Sequence, residues 1–143
     1  MSERLYIGAL AKRSGRSIHT IRWYEAQGLL PGVVRERGGR RVYRAEHVEH
    51  LVFLNWLRRT GMSIAGMRAL TALSLQGWRT LGERKELLRA HRERVESEVR
   101  ELKLALDLID AKVAYYAEWE AKKKRPAWLH AVPGKQVGSA TSR

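Results

Sequence analysis

Apolar residues recur along this chain in several short blocks and one long one. Ile7, Leu10 and Ala11 share one helical face, with Lys12 and Arg13 on the other, which predicts a helix from about Ile7 to Ser14. Gly15 can take the positive φ that ends a helix, and Ser17 is a good N-cap. A second helix follows, in which Ile18 and Ile21 turn inward while His19, Thr20 and Arg22 face outward. It should stop near Gln27, because Gly28 comes next, Leu29 and Leu30 supply core contacts, and Pro31-Gly32 turns the chain. Between Val33 and Tyr43, four arginines (Arg35, Arg37, Arg40, Arg41) surround Gly38-Gly39. Two short extended arms joined by a glycine turn result, a wing with guanidinium groups at its tip. Helical periodicity returns over Ala45 to Thr60, with Val48, Leu51, Leu54 (or neighbouring Phe53) and Leu57 as core positions and Gly61 as the stop. A further helix runs from its N-cap Ser63 through Ile64, Met67 and Leu70 toward Leu75, and Gln76-Gly77 breaks it.

From about Leu81 to Trp119 the chain has no proline and, after Gly82, no glycine. Leu88, Val95, Leu102, Ile109 and Tyr116 stand seven apart, with Val99, Leu106 and Val113 interleaved, which is the spacing of a coiled-coil seam. Such a helix spans roughly 57 Å at about 1.5 Å per residue, too far for a compact amino-terminal part to cover its stripe. A second copy of the chain is the economical cover. Leu104 and Leu108 lie off the seam and suit a second contact, for instance with the partner's amino-terminal part. The expected organisation is therefore a winged helix-turn-helix head over 1–76, a dimerisation helix over 77–120, and a basic, mobile tail over 121–143 that begins with Lys122-Lys123-Lys124-Arg125.

Charge adds a partner to this outline. Lys and Arg outnumber Asp and Glu 28 to 15, a formal net charge of +13, and a polyanion is the natural counterpart. The excess is densest in the head: residues 1–76 carry 13 basic against 5 acidic groups, and 77–143 carry 15 against 10. The absence of cysteine removes disulfides, thiolate metal sites, iron–sulfur clusters and thiol switches. No apolar run approaches the ~20 residues needed to cross a bilayer, and the amino terminus lacks a signal peptide's apolar segment. A cytoplasmic, nucleoid-associated protein without a membrane partner is expected.

With turn, helix, wing and long helix in this order, the chain resembles the MerR family of bacterial transcription regulators. The resemblance rests on Ile7-Gly8-Ala9-Leu10-Ala11, Thr20-Ile21-Arg22-Trp23-Tyr24-Glu25, Gly28-Leu29-Leu30, Gly39-Arg40-Arg41-Val42-Tyr43 and Leu57 through Ser63, and it covers roughly residues 5–75. It implies a mainly α fold whose winged helix-turn-helix head is followed by a helix that pairs antiparallel with its mate. It also implies a homodimer on double-stranded DNA at a palindromic promoter operator, acting on RNA polymerase through the shape of the promoter. Two departures stand out. Gly38-Gly39-Arg40-Arg41 replaces the family's frequent Asn-Gly-Tyr-Arg, and Ala65-Gly66 replaces the usual acidic residue early in the fourth helix. Because the chain has none of the cysteines used by metal- and redox-sensing members, those subclasses do not describe its signal, and the effector is not legible.

The candidate duplex contacts follow. Arg16, Ser17, His19 and Thr20 stand at the start of the second helix, the last three as base-edge readers. Arg22 and Tyr24 resemble family residues that hold phosphate and sugar; the competing use of Arg22 is an ion pair with Glu25. The competing use of Trp23 and Tyr24 is as core rings, and Trp23 is divided between surface and core. Arg40, Arg41 and Tyr43 are assigned to wing contacts, and Arg58 to one further phosphate. His47 and His50 lie three apart on a helix but lack a third ligand nearby, and His91 and His130 are isolated, so no metal or other cofactor is expected. Trp56, Trp78, Trp119 and Trp128 are read as core packing and tail contacts in preference to an effector pocket. No paired-carboxylate cleft, phosphate loop or activated nucleophile is evident, so an enzyme is not expected. The alternative to a regulator is an architectural or recombination-accessory DNA-binding protein that senses nothing.

Overall fold

A computed structural model describes residues 3–128. Its elements are α1 (Ile7–Ser14), α2 (Ile18–Ala26), β1 (Val34–Arg35), β2 (Arg41–Val42), α3 (Ala45–Arg59), α4 (Ile64–Ser74), a 3-10 turn (Gly77–Thr80) and α5 (Leu81–Lys122). Local chemistry sets these boundaries. Gly15 ends α1 at φ 68°, where a side chain would be strained, and the Ser17 hydroxyl opens α2 by accepting from the Thr20 N–H at 3.1 Å. Ser63 does the same for α4 through the Gly66 N–H at 3.0 Å. The acidic residue missing from the start of α4 is thus offset by its cap. Gly66 also admits Met62: a Cβ built there would stand 3.0 Å from the Met62 side chain.

The wing is an antiparallel pair with Val34 opposite Val42 and Arg35 opposite Arg41. Gly39, at φ 80°, closes its tip, and the Gly39 N–H donates to the Glu36 carbonyl at 2.8 Å. A third extended segment, which the hydrophobic pattern did not announce, joins it. Leu5 and Tyr43 exchange two backbone hydrogen bonds at 2.9 and 2.8 Å, tying the amino-terminal stretch to the base of the wing.

Two compact units divide the chain, one reaching Arg92 and the other starting at Glu93. In the first, Leu5, Leu10, Ile21, Tyr24, Leu29, Leu30, Tyr43, Leu51, Leu54, Leu57, Met62, Met67 and Leu70 form one core. This unit extends past the expected limit at 76 because Leu87 and Leu88, on the first turns of α5, pack against that core. Leu88 therefore serves the core of the head. His91 is buried one turn further on, hydrogen-bonded through Nε2 to Thr60 Oγ1 at 2.8 Å. On α3 the choice between Leu54 and Phe53 falls to Leu54, which is buried while Phe53 is exposed. Ile18, expected inside, is 39% exposed. His47 Nε2 donates to the Pro31 carbonyl at 2.9 Å and His50 Nε2 to the Leu29 carbonyl at 2.7 Å, so the two histidines pin the loop that follows α2. Burial lowers the His50 pKa from its ordinary 6.5. Among the described residues, no cluster of three or more His, Asp or Glu could hold a metal ion.

In the second unit, Val99, Leu102, Leu106, Ile109, Val113 and Tyr116 are exposed on α5, and Val95 is half-buried. The tail does not leave the helix at Ala121 as expected. α5 continues to Lys122, Lys123 turns the chain at φ 50°, and the segment folds back. Arg125 Nε donates to the Tyr115 hydroxyl at 3.1 Å, Trp128 meets the Tyr115 ring edge-on at 5.2 Å, and the Lys112 ammonium stands 4.1 Å from the Trp128 ring. These contacts bury Tyr115. Residues 129–143, with His130 and the rest of the basic tail, lie outside the described residues. No helix among the described residues is long and apolar enough to cross a membrane.

Candidate nucleic-acid interface

The start of α2 presents a short polar face because its apolar residues are anchored. Ile21 and Tyr24 are completely buried, which leaves Ser17, His19 and Arg22 exposed, Thr20 half-buried and Trp23 37% exposed. Ser17 and Thr20 are further tied by a hydroxyl–hydroxyl bond at 2.9 Å. His19, Thr20 and Trp23 line one open depression with Arg58 from α3, whose guanidinium carbon is 6.0 Å from the Trp23 ring. Arg22 makes no ion pair among the described residues. Its expected competitor role falls away, since Glu25 is engaged elsewhere.

Glu25 instead joins α2 to the wing. Its Oε1 accepts from Arg41 Nε at 2.8 Å and its Oε2 from the Tyr43 hydroxyl at 3.3 Å. Burial, followed by the charge on Glu25, pushes the Tyr43 pKa up to about 12. Two of the duplex contacts expected from sequence, Tyr24 and Tyr43, are thereby reassigned, and a third, Arg41, has a partner within the fold. Tyr24 is a core ring, Tyr43 is a core ring whose hydroxyl holds Glu25, and Arg41 neutralises that carboxylate. The physical reason for both rings is burial where α2, the wing and the core converge, whereas Arg41 stays partly exposed and spends its Nε on Glu25.

The rest of the wing remains outward. Arg40 lies over the Tyr6 ring at 3.5 Å, Tyr6 donates to Glu36 at 3.3 Å, and Arg35 Nη1 donates to the Gly39 carbonyl at 2.9 Å. Arg37 is exposed at the tip with no partner among the described residues. Sequence reasoning placed it in the wing but did not single it out; the signal was its position nearest Gly38-Gly39. It also passed over Asn55 and Arg59, which line a second depression with Arg16 and Arg58. Of the four tryptophans expected to pack, Trp56 and Trp78 are not core residues, being 56% and 77% exposed.

This geometry is matched by known proteins. A profile described as MerR HTH family regulatory protein fits residues 5–73, and one described as MerR, DNA binding fits residues 48–112. An HTH-type transcriptional regulator of Haemophilus influenzae is 33% identical over 111 residues, 78% of this chain and 82% of that protein. The chain belongs to the MerR family. Among solved MerR structures, HiNmlR, described as a MerR family regulator lacking the sensor domain and bound to promoter DNA, superposes with a TM-score of 0.74 at 31% identity, over 83% of this chain and 94% of that one. A MerR family protein from Listeria monocytogenes gives a TM-score of 0.76 at 34% identity, over 83% and 95%. The chain is a MerR-type helix-turn-helix transcription regulator, and its partner is DNA. Its relatives are regulators, not enzymes.

Proposed function

We propose that this MerR protein binds a palindromic promoter operator as a homodimer and controls transcription by distorting the duplex between its half-sites. Each copy sets the start of α2 into a major groove, with Ser17, His19 and Thr20 at base edges, Arg22 on the flanking phosphate and Arg37 and Arg40 of the wing on the neighbouring backbone. The observation that carries this reading is the exposed polar face of α2, held outward by the buried Ile21 and Tyr24. The uncovered stripe from Val99 to Tyr116 supports the dimer, because apolar positions at heptad spacing on one helix call for a second helix. We read that pairing as an antiparallel coiled coil. HiNmlR, bound to promoter DNA and similar over most of this chain, supports the promoter as target.

Bending or untwisting a site of this kind costs on the order of 1–6 kcal/mol, offset by the phosphates the protein then reaches. RNA polymerase is affected through the promoter alone. Footprinting of the purified protein across the upstream region of its own operon, followed by a circular-permutation bending assay, tests the proposal. One protected palindrome with altered mobility supports it. Many cooperative sites without a palindrome would replace the regulator by an architectural protein.

A further inference from the structure

We infer that Arg16, Arg58 and Arg59 form a clamp for one backbone phosphodiester beside the reading helix, and that Asn55 is the residue that positions it. The inference rests on the duplex-binding reading above and adds a site to it.

The turn before α2 and the last turns of α3 are far apart in sequence and adjacent in space. Arg16 Nη1 donates to Asn55 Oδ1 at 2.8 Å, and Arg16, Asn55, Arg58 and Arg59 line the same open depression. What holds these guanidinium groups is neutral in every case. Arg16 has the amide of Asn55, Arg58 has the face of Trp23 at 6.0 Å, and Arg59 has the face of Trp56 at 5.1 Å. Three arginines elsewhere in the same unit are instead matched with acids: Arg13 with Glu3 at 2.7 Å, Arg41 with Glu25 at 2.8 Å and Arg89 with Glu86 at 3.3 Å. An amide oxygen and two aromatic faces orient a guanidinium without neutralising it, so three positive charges share one hollow with no carboxylate among them. One donor is already waiting: Arg16 Nε is buried and has no acceptor among the described residues.

A phosphate group fits this arrangement on three counts. Its oxygens accept from several forked donors at once, its charge relieves the repulsion among the arginines, and it supplies the missing acceptor. The source is a nucleic-acid backbone and not a free anion, because Arg58 also lines the depression holding His19, Thr20 and Trp23. The clamp therefore adjoins the base-reading face, as a phosphate immediately flanking the half-site would require.

The test uses the full chain on its footprinted operator and on a random duplex, across a salt series. Variants are Arg16→Ala, Arg59→Ala, Asn55→Ala and the double variant Arg16→Ala/Asn55→Ala, each checked for an unchanged thermal melt. Each arginine variant should weaken binding to both duplexes by the same factor and flatten the salt slope by a part of the ~0.9 that the one clamped phosphate contributes, so that at most about 3.5-fold less affinity is lost between roughly 50 and 200 mM salt. Asn55→Ala should give part of the Arg16 effect, and no more than the Arg16 effect when both are changed, because it acts through that residue. Losses confined to the operator sequence, an unchanged slope in both arginine variants, or an additive double variant would each overturn the clamp. Wild-type protein that ignores both duplexes would instead overturn the duplex-binding reading on which the clamp stands.

Discussion

Leu102→Asp is the sharpest test of the dimer, because the structure sets its size. Leu102 retains 64% of its surface on a single chain, flanked along α5 by the exposed Val99, Leu106 and Ile109. Full burial of a leucine contributes about 1.5–3 kcal/mol, so covering the two-thirds still exposed contributes about 1–2 kcal/mol in each copy, or about 2–4 kcal/mol in the pair. Aspartate forfeits that and places a carboxylate in a closing apolar seam twice over, at several kcal/mol per ion. The sum exceeds about 5 kcal/mol, which at about 1.4 kcal/mol per decade raises the dimer dissociation constant by more than three decades. Sedimentation equilibrium at about micromolar concentration should show a dimer for the wild type and a monomer for Leu102→Asp. Lys103→Asp, a larger charge change one position off the seam, should remain dimeric. Operator binding should fall with the dimer, since each half-site would then be held by one head alone. A Leu102→Asp protein that still sediments as a dimer would refute the seam, and with it the antiparallel pairing.

The remaining predictions concern the head. Arg22→Ala should weaken binding to operator and random duplex alike and flatten the salt slope by about 0.9, whereas His19→Ala should change base preference in a selection assay; equal losses for both would reject this division. Arg41→Ala should leave the salt slope unchanged while lowering the melting temperature, because its guanidinium belongs to Glu25; a flattened slope would return it to the duplex. Tyr43 holds its proton longer in the folded chain than in the unfolded one, so its contribution is full below pH ~10 and is lost as the pH rises toward 12. The wild-type melting temperature should therefore fall more steeply than that of Tyr43→Phe over this window, and parallel curves would contradict the assignment. On the acid side the sign reverses: burial depresses the His50 pKa, so its contribution is present above about 6.5 and lost as the pH falls through the folded value. His50→Gln, which keeps an N–H for the Leu29 carbonyl, should flatten the melting profile below pH ~6.5.

The elements of the head were legible because each carries a local signal: Gly15 and Ser17 at one turn, Gly61 and Ser63 at another, Gly38-Gly39 at the wing. The side chains that use the fold were harder. Tyr24 is assigned to the duplex backbone by resemblance, with a core ring as the alternative; helical geometry decides for the core by setting it three positions from Ile21 on the buried side, while Trp23 takes the outward place. Leu88 fits the heptad spacing as well as Leu102 does; only the reach of the core across to α5 separates them. The tail beyond Lys122 reads as a charge run, and its folding back depends on Trp128 finding Tyr115 thirteen residues earlier, a pairing no local pattern reports.

Which arginines are free to meet a polyanion is the least local property of all, because it is decided by where the few acids fall. Residues 1–76 have 13 basic groups and 5 glutamates. Glu3 takes Arg13 and Glu25 takes Arg41, while Glu36 receives the Tyr6 hydroxyl, and that tyrosine in turn carries Arg40 on its ring. The wing is thus braced at its base by a neutralised arginine and left charged toward its tip by Arg37 and by Arg40 on an uncharged support. The same sorting on the other side of α2 leaves Arg16, Arg58 and Arg59 on amide and aromatic supports. A charge held on a neutral support keeps its field and loses only its freedom, which is the condition for binding a phosphate without a large ordering cost. Exchanging that support for an acid should then silence the arginine while leaving its geometry intact. Asn55→Asp makes that exchange at a single atom: it should preserve the Arg16 contact, hold or raise the melting temperature, and still flatten the salt slope of duplex binding by a part of the ~0.9 that one phosphate contributes. A slope unchanged by Asn55→Asp would show that the neutrality of the support is irrelevant, and that acids do not decide which arginines this protein offers to DNA.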